Sequence, residues 1–315
     1  MKTRITIVDV ARAAGVSKSL VSVALRNDPG VGPATRERIL RVADELGYRS
    51  NLWARSLVQG STNLVGVLLA DLGNAYHTDV VIGVEDAAAE QGLGVVISHG
   101  RGDSERMAAQ LGRLVQLGVD GVVIVSAHTP PGALAEAARV MPVVVVGRPA
   151  MLPESVSGIS NDDELGGRLA VTHLVDGGRS RVAFLQMSGS TSALARRDAY
   201  LRVVEERSLP ATVLSPAGLD ADALRGVDAV FASNDRGAVQ LLAAAHDAGV
   251  SVPTELAVVG YDDTDLARLV RPQLSSIAQP RLEMGRRALE ILQGGEVVRE
   301  THAPHLVVRA SSAPA

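Results

Sequence analysis

Five polar side chains stand just beyond two apolar runs of this 315-residue chain: Asp71, Asn74, Tyr76 and His77 after residues 64–70, and Arg148 after residues 143–147. Asp, Asn and Arg offer paired donors and acceptors that suit vicinal hydroxyls, and an aromatic ring can lie against a sugar face. Such a set favours holding a polar, carbohydrate-like molecule, although His77 on its own reads equally as packing. Covalent chemistry finds little support. With Cys 0 there is no thiolate nucleophile, no thiolate metal site and no disulfide framework. The first apolar run leads into Asp71-Leu72-Gly73-Asn74 without a glycine-rich phosphate turn, and neither a nucleophile elbow nor a Walker sequence occurs. His302 and His305 are the nearest approach to metal-ligand spacing, and two histidines are too few for a site. The expectation is therefore a binding protein with no catalytic residues, no metal and no cofactor.

The elements that must position these residues follow from the apolar pattern. Hydrophobic residues make up 46% of the chain but aromatics only 2%, so its cores must be built from Val, Leu, Ala and Ile. Residues 64–70, 95–98, 121–125 and 143–147 are short apolar runs without alternation, as in parallel strands covered on both faces. Helical spacing lies between them, at 79–91, 105–117 and 132–140. A second set of runs, 181–185, 228–232 and 257–261, repeats the layout. Two α/β lobes result, and ligands of such sheets sit beyond the strand C-termini, which facing lobes bring to one cleft.

Charge separates a further unit. Residues 1–60 hold ten Lys/Arg and five Asp/Glu, a balance of +5; the remainder holds 31 − 10 = 21 basic and 35 − 5 = 30 acidic residues, a balance of −9. A basic head on an acidic body suggests that the head meets nucleic acid. Within it, Ile7, Val10, Ala11 and Ala14 form one helical face, which Gly15 stops. Val16 is an apolar plug, Ser17 is a natural N-cap, and Val21, Ala24 and Leu25 form a second face. Two short helices about a tight turn are the sequence form of a helix-turn-helix. Pro33 opens a third helix whose inward stripe is Ile39, Val42, Ala43 and Leu46, leaving Arg36, Arg38 and Arg41 for solvent or phosphates.

The runs Ile7-Val8-Asp9-Val10-Ala11, Ala14-Gly15-Val16-Ser17, Val21-Ser22, Thr35-Arg36-Glu37-Arg38-Ile39 and Glu45-Leu46-Gly47-Tyr48 together resemble the LacI/GalR family of transcriptional regulators. The resemblance implies an all-α helix-turn-helix head over 1–49, a hinge helix and linker over 50–61, and over 62–315 a body of two Rossmann-like lobes with parallel sheets, periplasmic-binding-protein-like. It implies an N-lobe of about 62–160 and 280–300, a C-lobe of about 162–277 and 302–313, and lobe crossings near 159–162, 277–280 and 302–305. It also implies that the second helix enters the major groove, with Lys18, Ser19 and Val23 at the positions of the main base readers, and with Thr6, Ser17, Ser22, Arg26 and Arg36 among the DNA contacts. Val23 stands where Arg is common, so apolar contact to a thymine methyl replaces a bidentate bond to guanine, unless Val23 merely packs within the head. Leu20 and Arg26 also depart from the usual Thr and Asn. The operator sequence cannot be carried over from relatives.

In the hinge, which is a plain linker on propensity alone, the resemblance assigns Asn51, Ala54 and Arg55 to DNA and makes Leu57 the minor-groove wedge. Ser50 replaces a common Pro, and Trp53, the single tryptophan, falls four residues before Leu57. Emission of Trp53 is therefore expected to change with operator DNA and much less with random DNA, unless the ring simply packs on the next domain; an identical response to both would remove the hinge-ordering idea. In the body, the resemblance adds Asp162, Arg196, Phe231, Asn234, Asp235, Asp262 and Gln279 to Asp71, Asn74, Tyr76, His77 and Arg148 as effector contacts; on their own, Asp163, Asp263 and Asp235 read equally as helix caps. Gly178 and Ala199 replace a usual His and Gly.

The function implied is a repressor whose affinity for a roughly palindromic double-stranded operator is set by a small-molecule effector, a sugar or sugar derivative. The partners implied are that DNA, the effector and a second copy in a homodimer. The N-terminus has no secretory h-region and no apolar run spans a bilayer, so the expected site is the cytoplasm, without a membrane partner. The chain end carries no heptads, which favours a dimer over a coiled-coil tetramer. An exported solute-capture protein would need a signal and would not use a DNA head. A body that answers to a protein partner instead of a metabolite remains the alternative.

Overall fold

Three helices, α1 (Ile7–Ala14), α2 (Lys18–Leu25) and α3 (Pro33–Glu45), enclose the small core of the first unit. The computed structural model describes residues 5–25, 28–48 and 60–313, and the chain divides after Thr62 into two compact units. Thr6 opens α1 through a capping box. Its backbone N–H and its hydroxyl both donate to Asp9, at 2.9 and 2.7 Å, and these bonds hold the Asp9 carboxyl below its ordinary range. Gly15 ends α1 in the left-handed region at φ 65°, where its N–H reaches the carbonyls of Ala11 and Arg12. Ser17 caps α2, its hydroxyl accepting from Leu20 N–H at 3.2 Å. Val10, Ala11, Ala14, Val21, Ala24, Ile39 and Ala43 are buried together, and Tyr48 packs against them. Leu46, expected in the inward stripe, is instead the exposed C-cap of α3, because the helix turns it past the core and Tyr48 covers that end.

The second unit holds two six-stranded sheets. The first orders β11-β5-β4-β3-β1-β2, from β1 (Leu64–Leu69), β2 (Gly94–His99), β3 (Gly121–Val125), β4 (Val143–Val146), β5 (Ser157–Asn161) and β11 (Arg299–His302), and all its pairings are parallel. The second orders β12-β10-β9-β8-β6-β7, from β6 (Val182–Leu185), β7 (Thr212–Leu214), β8 (Ala229–Ala232), β9 (Ala257–Asp262), β10 (Ser275–Ala278) and β12 (His305–Val307), with β12 alone antiparallel. Helices α4 (Ala75–Glu90), α5 (Ser104–Leu117), α6 (Pro131–Ala137) and α12 (Arg281–Gly294) cover the first sheet. The second is covered by α7 (Asp163–Asp176), α8 (Thr191–Glu206), α9 (Ala221–Arg225), α10 (Asp235–Asp247) and α11 (Asp265–Leu269).

Both faces of each sheet are thus dry, which is why β1, β3, β4, β6, β8 and β9 read as unbroken apolar runs. The chain passes from the first sheet to the second after Asn161, returns after Ala278 so that α12 lies on the first lobe, and passes once more between His302 and His305. Among the described residues no helix is long and apolar enough to cross a membrane.

Helix α12 packs on α4 through paired glycines. A Cβ on Gly285 would overlap the carbonyl oxygen of Val80, and one on Gly83 that of Leu282. Backbone cannot swing aside as a side chain can. Gly285→Ala is therefore expected to cost about 1–3 kcal/mol, read as a lowered Tm, whereas Gly294→Ala, with open space around it, should not show this loss.

Candidate functional site

Strand ends of both lobes open onto one cavity of about 290 Å³, on the side where each sheet reverses its strand order. Of the residues expected to contact an effector, Asp71, Asn74, Tyr76, His77, Arg148, Arg196, Asn234, Asp262 and Gln279 line it. Asp71 and Asn74 follow β1. The Asn74 side chain caps α4 by accepting from Tyr76 N–H at 3.1 Å, and Asp71 accepts from Gly73 N–H at 2.9 Å, so this wall is set by the turn itself. His77 lies on α4 with Nδ1 2.9 Å from the Asp71 carbonyl, and burial pushes its pKa down. Burial, with Asp262 nearby, pushes the Tyr76 phenol up.

Arg196 on α8 organises the opposite wall. Its Nε donates to Asp163 at 2.8 Å, one terminal nitrogen donates to the Ser233 carbonyl at 2.6 Å and lies 3.9 Å from Asp262, and its plane sits 3.5 Å above the Tyr261 ring. Burial works against its charge, but Asp163, Tyr261 and Asp262 outweigh it and hold the guanidinium firmly protonated. Burial pushes the Asp262 carboxyl up to about 7 despite Arg196. Gln279 donates to Asp262 at 2.5 Å and accepts from Asn161, so the cavity floor is a chain of hydrogen bonds from β9 to β5 across the two lobes. Asp262 has φ 107° and Asp263 φ 50°, values that L residues rarely adopt, and they turn the end of β9 into the cleft.

Three expected contacts lie elsewhere. Phe231 is fully buried in the core between Phe184 and Tyr261, because β8 is an inner strand with both faces covered. Asp235 is likewise buried and binds the backbone and hydroxyl of Thr264 and the hydroxyl of Ser276, which ties α10 to β10; burial lifts it to about 6 despite these bonds. Asn234, rather than Asp235, caps α10. Asp162 caps α7 through Leu165 N–H at 2.9 Å, and it is Asp163, expected as a cap, that faces Arg196 in the cavity. Sequence reasoning missed Asp163, Asn161, Ser126, His128 and the serines at 188, 190 and 192, all of which line the cleft. A larger cavity, about 600 Å³, lies on the outer side of α7, but its polar groups are already engaged: Arg168 with Glu206, Arg179 with the carbonyls of Pro253 and Thr254, His173 with Ser312. The cleft, with side chains converging from both lobes, is the better binding site.

In the head, Lys18 and Ser19 are exposed at the start of α2, and Ser22 and Val23 are half-buried one turn on. Val23 takes no part in the head's core cluster, whereas Leu20 does, so Val23 belongs to the outer side of α2. Arg36, expected to be left for solvent or phosphates, reaches back to the carbonyls of Ala24 and Asp28 at 3.2 and 2.5 Å and braces the end of α2. Arg26, Asn51, Trp53, Ala54, Arg55 and Leu57 lie outside the described residues.

A helix-turn-helix head on a two-lobed α/β body with a polar cleft defines a ligand-responsive DNA-binding regulator. Family models agree along the chain: bacterial regulatory proteins of the lacI family over residues 6–51, periplasmic binding proteins and sugar binding domain of the LacI family over 62–208, and a periplasmic binding protein-like domain over 171–312. The ribose operon repressor of Escherichia coli strain K12 is 32% identical over 308 residues, covering 91% of this chain and 92% of that protein. The chain belongs to the LacI family of bacterial transcriptional regulators. Among solved structures, the CelR–cellobiose complex is 29% identical with TM-score 0.70 (98% of this chain, 100% of that one), and the lac repressor dimer bound to operator and the anti-inducer ONPF shares the fold at 24% identity and TM-score 0.84 (98% and 99%).

Proposed function

We propose that this chain is a cytoplasmic, dimeric repressor whose operator affinity is set by a sugar or sugar derivative bound in the cleft. The head over 1–49 and the hinge over 50–61 meet DNA, and the body over 62–315 senses the effector and forms the dimer. The observation that carries the sensing role is the convergence, in one cavity, of Asp71 and Asn74 from the first lobe with Arg196, Asn234 and Asp262 from the second. Carboxylates and amides of that kind match a polyol, and such a ligand holds both lobes at once. Contacts across the seam, Thr191 hydroxyl to Arg148 carbonyl and Asn161 to Gln279, change when the lobes move, so a ligand that prefers one closure shifts the DNA-competent population by its difference in affinity. Lys18, Ser19, Ser22 and Val23 read the operator, and Arg55 and Leu57 act in the hinge.

A thermal-shift screen of monosaccharides, followed by operator binding with each hit, tests the reading. A hit that moves operator affinity supports it; a body that answers to a protein partner and to no metabolite would replace it. Operator affinity is also expected to fall steeply and linearly with log salt, as phosphate neutralisation by the basic head requires. A flat salt dependence would contradict DNA binding by this unit.

A further inference from the structure

The cleft is chemically lopsided. A smaller cavity of about 150 Å³ abuts it and shares Asp71, Asn74, Asn234 and Asp262, so these four form one end of the site. Arg148, His128, Ser188, Ser190 and Ser192 line the larger cavity alone. The shared end therefore presents carboxyl and amide groups, with Arg236 also lining the smaller cavity, and the remainder presents the Arg148 guanidinium, the His128 imidazole and three serine hydroxyls beside the Arg196–Asp163 pair and the amides of Asn161 and Gln279.

Arg148 differs from the neighbouring arginines. Arg196 is held by Asp163 and Arg281 by Asp79, both at 2.8 Å, whereas the Arg148 guanidinium has no carboxylate within ion-pair distance among the described residues. The Thr191 hydroxyl donates to its backbone carbonyl, which fastens Arg148 beside the first turn of α8. There Ser188 hydroxyl donates to Ser190 Oγ at 3.1 Å, and Ser190 Oγ also accepts from Ala193 N–H at 3.3 Å. With two donors already on its oxygen, the Ser190 hydroxyl has its own proton left to give. The acids do not oppose an anion at this end: Asp163 is neutralised by Arg196, and Asp71 and Asp262 lie at the other end.

We propose that the effector is a monosaccharide bearing an oxyanion, a phosphate or a carboxylate, with its hydroxyls on Asp71, Asn234 and Asp262 and its anion against Arg148 and Ser190. This rests on the sugar-sensing reading above and narrows it.

Calorimetry on the full chain with matched pairs tests it: ribose against ribose 5-phosphate, and glucose against glucose 6-phosphate, gluconate and glucuronate. The anionic member of at least one pair is expected to bind at least about ten-fold tighter, and to weaken as NaCl rises. Which anion wins separates phosphate from carboxylate. Arg148→Gln should abolish the preference, Arg148→Lys should keep part of it, and Ser190→Ala should lower it by a smaller factor, with ligand-free thermal transitions reporting that each variant folds. Neutral sugars binding as tightly as their anionic partners, or an undiminished preference in Arg148→Gln, overturns the oxyanion while the sugar reading stands. If no member of any pair binds, both readings fall.

Discussion

Arg196→Met is expected to lose effector control of operator binding and to lower the stability of the body by about 3–5 kcal/mol, the usual cost of leaving a buried charge without its partner. Arg196 is about nine-tenths buried and satisfies Asp163, Asp262 and the Ser233 carbonyl together, so removing it strands two carboxyls and one carbonyl in a dry cleft wall. The deficit depends on pH. Asp262 already sits at about 7 against an ordinary 3.8 with Arg196 pulling it down, and without Arg196 it goes higher. A carboxyl raised on folding contributes most where both states are protonated, below about 3.8, and its contribution is lost as pH rises through the folded value. The loss in Arg196→Met therefore widens between pH 5.5 and pH 8. Urea denaturation of parent and variant at both pH values measures it, and an equal loss at both would show that Asp262 does not feel Arg196. Arg196→Lys should restore little, since a single ammonium cannot span Asp163, Ser233 and Asp262 as the planar fork does.

Much of this site was legible because the strands were. Apolar runs locate six of the inner strands, β1, β3, β4, β6, β8 and β9, and polar residues just past the end of β1, Asp71 and Asn74, then fall on the cleft. The edge strands β7, β11 and β12, Thr-Val-Leu, Arg-Glu-Thr-His and His-Leu-Val, are short and half exposed and carry no such run, and the inner strands β5 and β10, Ser-Gly-Ile-Ser-Asn and Ser-Ser-Ile-Ala, lack one because serines fill buried positions. Position within an element was harder to read. Asp162 and Asp163 are adjacent, and a helix that starts one residue later exchanges the capping side chain for the inward one. Phe231 shows the same limit in a strand: when both faces are buried, alternation no longer tells which side chain reaches a ligand and which lies under it. The cleft serines at 188, 190 and 192 look like any polar loop in sequence, and only the return of α8 against the end of β4 gives them a role.

The aromatic economy of the chain sharpens this point. Phe231 and Tyr261, which could have offered a stacking platform for a sugar, both lie in the core, and Arg196 covers the Tyr261 ring. Recognition is left to hydrogen bonds and charge, with Tyr76 as the aromatic on the cavity wall. Discrimination of that kind is steep, because a site built to pair with hydroxyls rejects an analogue that lacks them by leaving its own buried groups unpaired.

Asp262→Asn should separate binding from stability. In the parent, between pH 3.8 and about 7 the unfolded carboxyl is ionised while the folded one keeps its proton, so stability falls as pH rises across that window. An amide removes this slope, and the variant should gain stability relative to the parent at pH 8, on the order of a few kcal/mol, provided its amide still pairs with Gln279. Effector binding should move the other way. A sugar hydroxyl that donates to Asp262 favours the carboxylate, so the parent is expected to weaken as pH drops below 7 and to release a fraction of a proton on binding near pH 6.5. Calorimetry in two buffers of different ionisation heat reads that proton directly. The charged groups that face Asp262 are Arg196, Asp235, Arg281 and Asp163, and of these Asp235, lifted to about 6, is the other carboxyl able to titrate in the same range. It is engaged by Thr264 and Ser276 and lines the smaller cavity that abuts the cleft. Loss of proton release in Asp262→Asn assigns the titration to Asp262; proton release that persists undiminished in that variant would move it to Asp235 and remove Asp262 as the acceptor of the effector's hydroxyl.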